Sequence, residues 1–237
     1  MGVTQVRFDV DDAVCTITLD APARRNAVDG PMAAELLEAF ERFEADDSLL
    51  VAVLHGAGGT FCAGADLTSV GDEARRPVLD ADGPGPMGPS RMALSKPLIA
   101  AVSGHAVAGG LELSLLADLR VVEEDAIFGV FCRRWGVPLI DGGTVRLPRI
   151  IGHGRALDLI LTGRPVHADE ALQMGLANRV VPVGESLTVA HQLAEQIAAF
   201  PQLCMRADRA SAIAQWDLAL PEALRAEGAG GVDALLA

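Results

Sequence analysis

In the stretch KPLIAAVSGHAVAGGLELSLLADLR, residues 96–120, a single glutamate, Glu112, stands two residues beyond a glycine pair in an otherwise apolar helical run. A carboxylate in the first turn of a buried helix, beside glycines that leave backbone N–H groups uncovered, can move a proton next to a site that holds an anion. The plainer alternative is helix electrostatics, because an acidic residue complements the positive end of any helix macrodipole. A second stretch, GGTFCAGADL at Gly58–Leu67, follows an apolar run at Leu49–Leu54 that reads as a buried strand. Small residues again gather beyond the carboxyl end of a strand, which is where open α/β folds place their ligands. Two strand ends can thus offer one N–H each to a developing negative charge.

The elements that must hold these groups are legible in outline. Pro97–Val102 reads as a buried strand, followed by a tight glycine turn and the helix Leu111–Ala117, whose lack of polar positions places it in the interior. The chain opens with alternating runs, Gln5–Val10 and Ala13–Leu19, that read as a hairpin. Pro22–Asp29 is a loop carrying Arg24, Arg25 and Asn26, and Pro31 begins an amphipathic helix with Leu36, Leu37, Phe40 and Phe43 on one face. Ser69–Pro89 contains DADGPGPMGP, which cannot sustain a helix or strand and reads either as a mobile lid or as a plain surface loop. Leu119–Glu123 and Ala126–Val130 are further strand candidates. Asp141, directly before Gly-Gly-Thr, is a good helix N-cap signal and also a candidate second carboxylate. Helices follow at Arg155–Leu161, Ala168–Met174, Glu185–Phe200 and Gln202–Gln215, with a short strand at Ala177–Val181 and a frayed Gly228–Gly231. Periodicity alone gives an α/β chain with a helical C-terminal end.

Composition removes several function classes. A formal charge of −13 over 237 residues argues against nucleic acid and anionic membranes as partners, and the absence of tyrosine with few other aromatics removes a stacking platform for single strands. No apolar run approaches the roughly 20 residues of a membrane span, and no basic segment precedes an apolar one at the start. Cys15, Cys62, Cys132 and Cys204 are scattered without paired spacing and read as reduced thiols of a cytoplasmic protein. The five histidines show no ligand spacing, so no metal site is expected.

FCAGADL, KPLIAAVSGHAVAGGLELSLLADLRV and the earlier PARRNAV together resemble the crotonase superfamily of enoyl-CoA hydratases and isomerases, in that family's order and spacing. The resemblance implies a spiral of ββα units over residues 1–182 and a C-terminal helical unit over 183–237, assembled as a homotrimer or a hexamer of paired trimers. It implies that Ala65 and Gly109 supply the two N–H groups of an oxyanion hole for an acyl-CoA thioester, with Glu112 as the catalytic carboxylate. Around them, Arg24, Arg25, Ala27, Ala63, Asp66, Leu67, Gly110, Cys132 and Trp135 are the expected substrate and CoA contacts. No permanently bound cofactor is implied, coenzyme A entering as part of the substrate. One departure is informative: the position of the hydratases' second glutamate falls on Cys132. Asp141, where some relatives place a catalytic aspartate, is the candidate replacement. Cys132 reads as pocket wall, although Arg133 and Arg134 are near enough in sequence to lower a thiol pKa. Hydration of a trans-2-enoyl-CoA is the first expectation; double-bond isomerisation by Glu112 and Asp141, or acyl-CoA binding with little catalysis, are the alternatives.

Overall fold

The computed structural model describes residues 4–236. β1 (Val6–Asp11) and β2 (Val14–Leu19) form the expected hairpin, with Val6 opposite Leu19 and Asp11 opposite Val14. β3 (Val51–Gly56), β4 (Leu98–Val102), β6 (Leu119–Glu123) and β9 (Arg179–Val181) then add in parallel, giving a six-stranded sheet of order β1-β2-β3-β4-β6-β9. β2 and β4 are buried at every position, because the middle of the sheet is covered on both faces. That is why these segments read as continuous apolar runs rather than alternating ones.

A smaller sheet, β5-β7-β8, is made from β5 (His105–Val107), β7 (Ile127–Gly129) and β8 (Pro165–His167). The chain alternates between the sheets: β3 leads to Cys62, which bridges Ala106 of β5; β4 leads to β5; β6 leads to β7. Helix α2 (Gly109–Leu116) returns the chain from β5 to β6, α3 (Gly143–Ile151) and α4 (His153–Thr162) link β7 to β8, and α5 (Ala168–Gln173) returns it from β8 to β9. These repeated strand–strand–helix turns form the spiral. β7 lies within the expected strand Ala126–Val130, whereas β5 and β8, three residues each, are too short for a periodic signal, and the sequence shows only a turn at His105–Val107.

Helix α1 (Gly30–Ala45) buries Met32, Leu36, Phe40 and Phe43 against one face of the large sheet. Each large apolar side chain so buried contributes about 1.5–3 kcal/mol relative to exposure. Asp29 caps its start by accepting from the Met32 N–H at 3.2 Å. Lys96, itself buried, caps its end by donating Nζ to the Phe43 and Asp46 carbonyls at 2.8 and 2.7 Å. Of the residues expected to form the C-terminal unit, α6 (Ser186–Ala198) packs on the opposite face of the sheet over Val53, Ile99 and Val121. Helices α7 (Gln202–Ala214) and α8 (Leu220–Leu236) bury no residue and lie outside this core. Arg209 ties α7 to the body through Asp118 at 2.9 Å and the Leu94 carbonyl at 2.6 Å. The expected fraying at Gly228–Gly231 is not seen, because α8 runs through it and Gly230 faces the crevice beside α7. Among the described residues no helix is long and apolar enough to cross a membrane.

Candidate active site

Two loop ends meet above the parallel strands. Gly64 has φ +94°, and a Cβ there would stand 2.9 Å from Ala108 Cβ and 3.0 Å from the Gly109 nitrogen. Only glycine permits this approach and this backbone conformation together. Ala108, with φ +53° and ψ −124°, holds a strained conformation directly before α2 and turns the chain so that the helix begins at Gly109. The Gly109 N–H is a first-turn donor with no intrahelical acceptor. Ala65 pairs with Val28 in a parallel bridge made by Val28 N to Gly64 O and Asp66 N to Val28 O, both 2.8 Å, so its own N–H faces away from that bridge. Neither N–H has a backbone acceptor outside regular elements among the described residues, and both residues line one cavity of about 690 Å³. Asn26 steadies this region, accepting from the Ala21 N–H at 2.9 Å and donating to the Ala57 and Thr60 carbonyls at 2.9 and 2.6 Å.

Glu112 is 2% exposed and reaches the cavity from α2. Its Oε1 accepts from the backbone N–H groups of Asp141 at 2.9 Å and Gly143 at 2.8 Å. Burial pushes its pKa up to about 7, and the nearby Asp141 charge adds to the rise, against the opposing effect of the two N–H donors and Arg146. The carboxyl is therefore poised to give or take a proton at neutral pH.

Asp141 also lines the cavity, 4% exposed. Its Oδ1 accepts from the Met87 N–H at 2.9 Å and from the Ser90 hydroxyl. Burial raises its pKa, partly offset by Ser90, Met87, Arg91 and Arg146. It is not a helix N-cap: α3 (Gly143–Ile151) has Gly142 at that position with no side-chain cap, and Glu112 serves the Gly143 N–H instead. Met87, Ser90 and Arg146 are absent from any motif reading. Met87 sits in the Pro/Gly-rich segment and Ser90 directly after it, and only the nearness of Arg146 in sequence to Asp141 could have suggested the third.

The cavity is lined by Arg25, Ala63, Ala65, Leu67, Gly109, Glu112, Cys132, Trp135 and Asp141 from the expected set. Arg24, Ala27, Asp66 and Gly110 are not in its wall. Arg24 is committed to Asp29 at 2.9 Å, and Asp66 to Arg75 at 2.7 Å and its own Thr68 turn. Burial alone would raise the carboxyl pKa values of Asp29 and Asp66, but hydrogen bonds and the arginines hold them below the ordinary range. Gly110 is pressed against the Cys62 carbonyl, which a Cβ would meet at 2.1 Å. Ala27 lies half-buried in the loop behind Arg25. Cys132, in a short 3-10 turn at Phe131–Trp135, is buried, and desolvation with the Glu112 charge raises its thiol pKa beyond what Arg133 lowers. Trp135 is 72% exposed at the rim rather than packed in the core. Val70, Arg76, Leu79 and Met87, from the Pro/Gly-rich segment, complete the cover. Arg75 anchors this segment to Asp29 and Asp66, and Arg91 anchors it through the Ala81, Gly83 and Ile140 carbonyls.

The arrangement offers two unengaged N–H donors and two buried carboxyls in one apolar-walled cavity, a setting for proton transfer beside a carbonyl that gains negative charge. Residues 9–229 match the family model Enoyl-CoA hydratase/isomerase. The chain is 41% identical over 198 residues to Enoyl-CoA hydratase EchA19 of Mycobacterium tuberculosis, covering 81% of this chain and 73% of that one. It is 40% identical over 188 residues to Carnitinyl-CoA dehydratase of Proteus mirabilis, covering 78% and 71%. The crystal structure of enoyl-CoA hydratase EchA1 from Mycobacterium marinum superposes with a TM-score of 0.93 at 32% identity, over 99% of this chain and 92% of that one. With its spiral fold and three ordered motifs, the chain belongs to the enoyl-CoA hydratase/isomerase family.

Proposed function

We propose that the protein adds water reversibly across the 2,3 double bond of an enoyl-CoA, with Ala65 and Gly109 as the oxyanion donors and Glu112 and Asp141 as the acid–base pair. The observation that carries this reading is the convergence of two buried carboxyls and two unengaged N–H donors on one cavity. In the forward direction the Asp141 carboxylate takes a proton from water as the water oxygen bonds to C3. The double-bond electrons move toward the thioester oxygen, where the Ala65 and Gly109 N–H groups stabilise the enolate. Loss of one such donor costs about 3–4 kcal/mol of transition-state stabilisation. Neutral Glu112 then delivers its proton to C2, and a proton passing from Asp141 to Glu112 restores the starting state. Dehydration runs the same steps backward.

Arg25 at the cavity wall is the proposed contact for the CoA phosphates; the committed Arg24 is not. Coenzyme A enters only as part of the substrate. The exposed apolar side chains of α7 and α8, among them Leu203, Ile213 and Leu224, support a trimeric or hexameric assembly. Isomerisation is the second reading, favoured by the un-ionised Cys132 standing where hydratases carry a second glutamate. The test is to mix the protein with short and medium trans-2-enoyl-CoAs. Loss of the conjugated thioester absorbance with a mass gain of one water supports hydration; a shifted double bond at unchanged mass supports isomerisation and removes hydration.

A further inference from the structure

Ser90 lies outside every sequence motif, is fully buried, and gives its hydroxyl to Asp141 Oδ1. The same oxygen accepts from the Met87 N–H at 2.9 Å. Met87 is also the residue whose thioether stands 2.7 Å from where a Cβ on Gly109 would be. The short stretch Met87–Ser90 therefore braces both halves of the site, the second carboxylate and one oxyanion donor. Gly85 lies against this brace: a Cβ there would come 1.8 Å from Ser90 Oγ and 2.6 Å from Asp141 Oδ1. Ser90 Oγ and Asp141 Oδ1 thus occupy the space that a side chain at position 85 would need, so the glycine leaves the hydroxyl room to reach that oxygen. Arg146 on α3 donates to the Ser90 carbonyl at 2.7 Å and the Asp141 carbonyl at 3.1 Å, tying the two backbones together.

We infer that Ser90 is a positioning residue: with the Met87 N–H it locks Oδ1 of Asp141 and leaves Oδ2 as the oxygen that meets water. This rests on the acid–base reading of Glu112 and Asp141 above. The charged and titratable groups around Asp141 are Glu112 from α2, Arg146 from α3, Arg91 from the brace segment, and the Cys62 thiol below. The arginines and the Ser90 and Met87 donors favour the Asp141 anion, whereas burial and Glu112 oppose it. Removing the hydroxyl takes away a donor that lowers the Asp141 pKa and frees its side chain to turn.

The experiment is the pH dependence of kcat and kcat/KM on a trans-2-enoyl-CoA for wild type, Ser90→Ala, Ser90→Cys and Asp141→Asn. Ser90→Ala is expected to lower kcat at least about tenfold with little change in KM, and to move the acidic limb up by roughly one pH unit. Ser90→Cys has nearly the same bulk and a much weaker donor, so it is expected to show the same displaced limb. If Ser90 only fills space, the cysteine variant restores both rate and limb, and the inference is overturned. It is equally overturned if Ser90→Ala keeps the wild-type profile while Asp141→Asn is inactive. An unimpaired Asp141→Asn enzyme would instead bring down the acid–base reading itself. Should Ser90→Ala fail to fold, the cysteine variant decides alone.

Discussion

Glu112 accepts hydrogen bonds from the Asp141 and Gly143 N–H groups on a single oxygen, Oε1, so the carboxyl in the first turn of α2 also caps the start of α3. One side chain thereby fixes the loop that carries the second carboxyl. Because its pKa is raised in the folded state from 4.5 to about 7, the native protein binds more protons than the unfolded chain between those values. Stability contributed by this group is full below about pH 4.5 and falls as pH rises toward 7, by about 3 kcal/mol in all. Glu112→Gln keeps an oxygen acceptor and removes the titration. Denaturant unfolding should find the variant gaining on wild type from pH 5 to pH 8; parallel pH profiles would contradict the buried-acid assignment.

Glu112→Ala removes the cap as well as the acid. It should be less stable than Glu112→Gln by about 1 kcal/mol at pH 5, the usual worth of an N-cap. Equal midpoints in urea would show that the α3 terminus does not depend on this contact.

The oxyanion arm depends on Gly64, whose φ of +94° and 2.9 Å clearance from Ala108 Cβ leave no room for a methyl group. Gly64→Ala should lower kcat/KM on an enoyl-CoA by about 10²-fold, the scale of a misplaced reactive group, while circular dichroism stays native. Unchanged kinetics would separate the Ala65–Gly109 pair from the chemistry.

Cys132 should act as wall and not as acid or base. Burial and the Glu112 charge keep it a thiol at neutral pH. Cys132→Ser is therefore expected to retain kcat within about threefold, and alkylation of Cys132 at pH 7 should be slow compared with exposed Cys204. Rapid alkylation of Cys132, or loss of turnover in the serine variant, would assign the thiol a chemical role.

Much of the site is legible because local signals and global fold agree there. The hairpin, β4 and β6 follow from hydrophobic pattern, and the GGTFCAGADL stretch, Gly109 and the neighbouring Glu112 from small residues placed at strand ends, whereas the special role of Gly64 shows only in the structure. What is not legible depends on contacts between distant segments. Arg24 and Asp66 look like free polar side chains in sequence, yet Asp29 and Arg75 neutralise them in space. Ser90 sits 51 residues from the Asp141 it holds, directly after a Pro/Gly-rich stretch with no period to read. Asp141 shows an N-cap pattern, but Glu112 takes the capping contact and leaves its carboxyl to the cavity.

The most direct measurement compares turnover and binding for wild type, Glu112→Gln and Asp141→Asn. Rates come from the loss of enoyl-thioester absorbance, and affinity from calorimetry with an acyl-CoA product. The expected result is that each variant loses at least about 10²-fold in kcat, as for a missing general acid or base, while Kd changes by less than about threefold. Wild-type kcat in either variant, with binding intact, would contradict the acid–base pair.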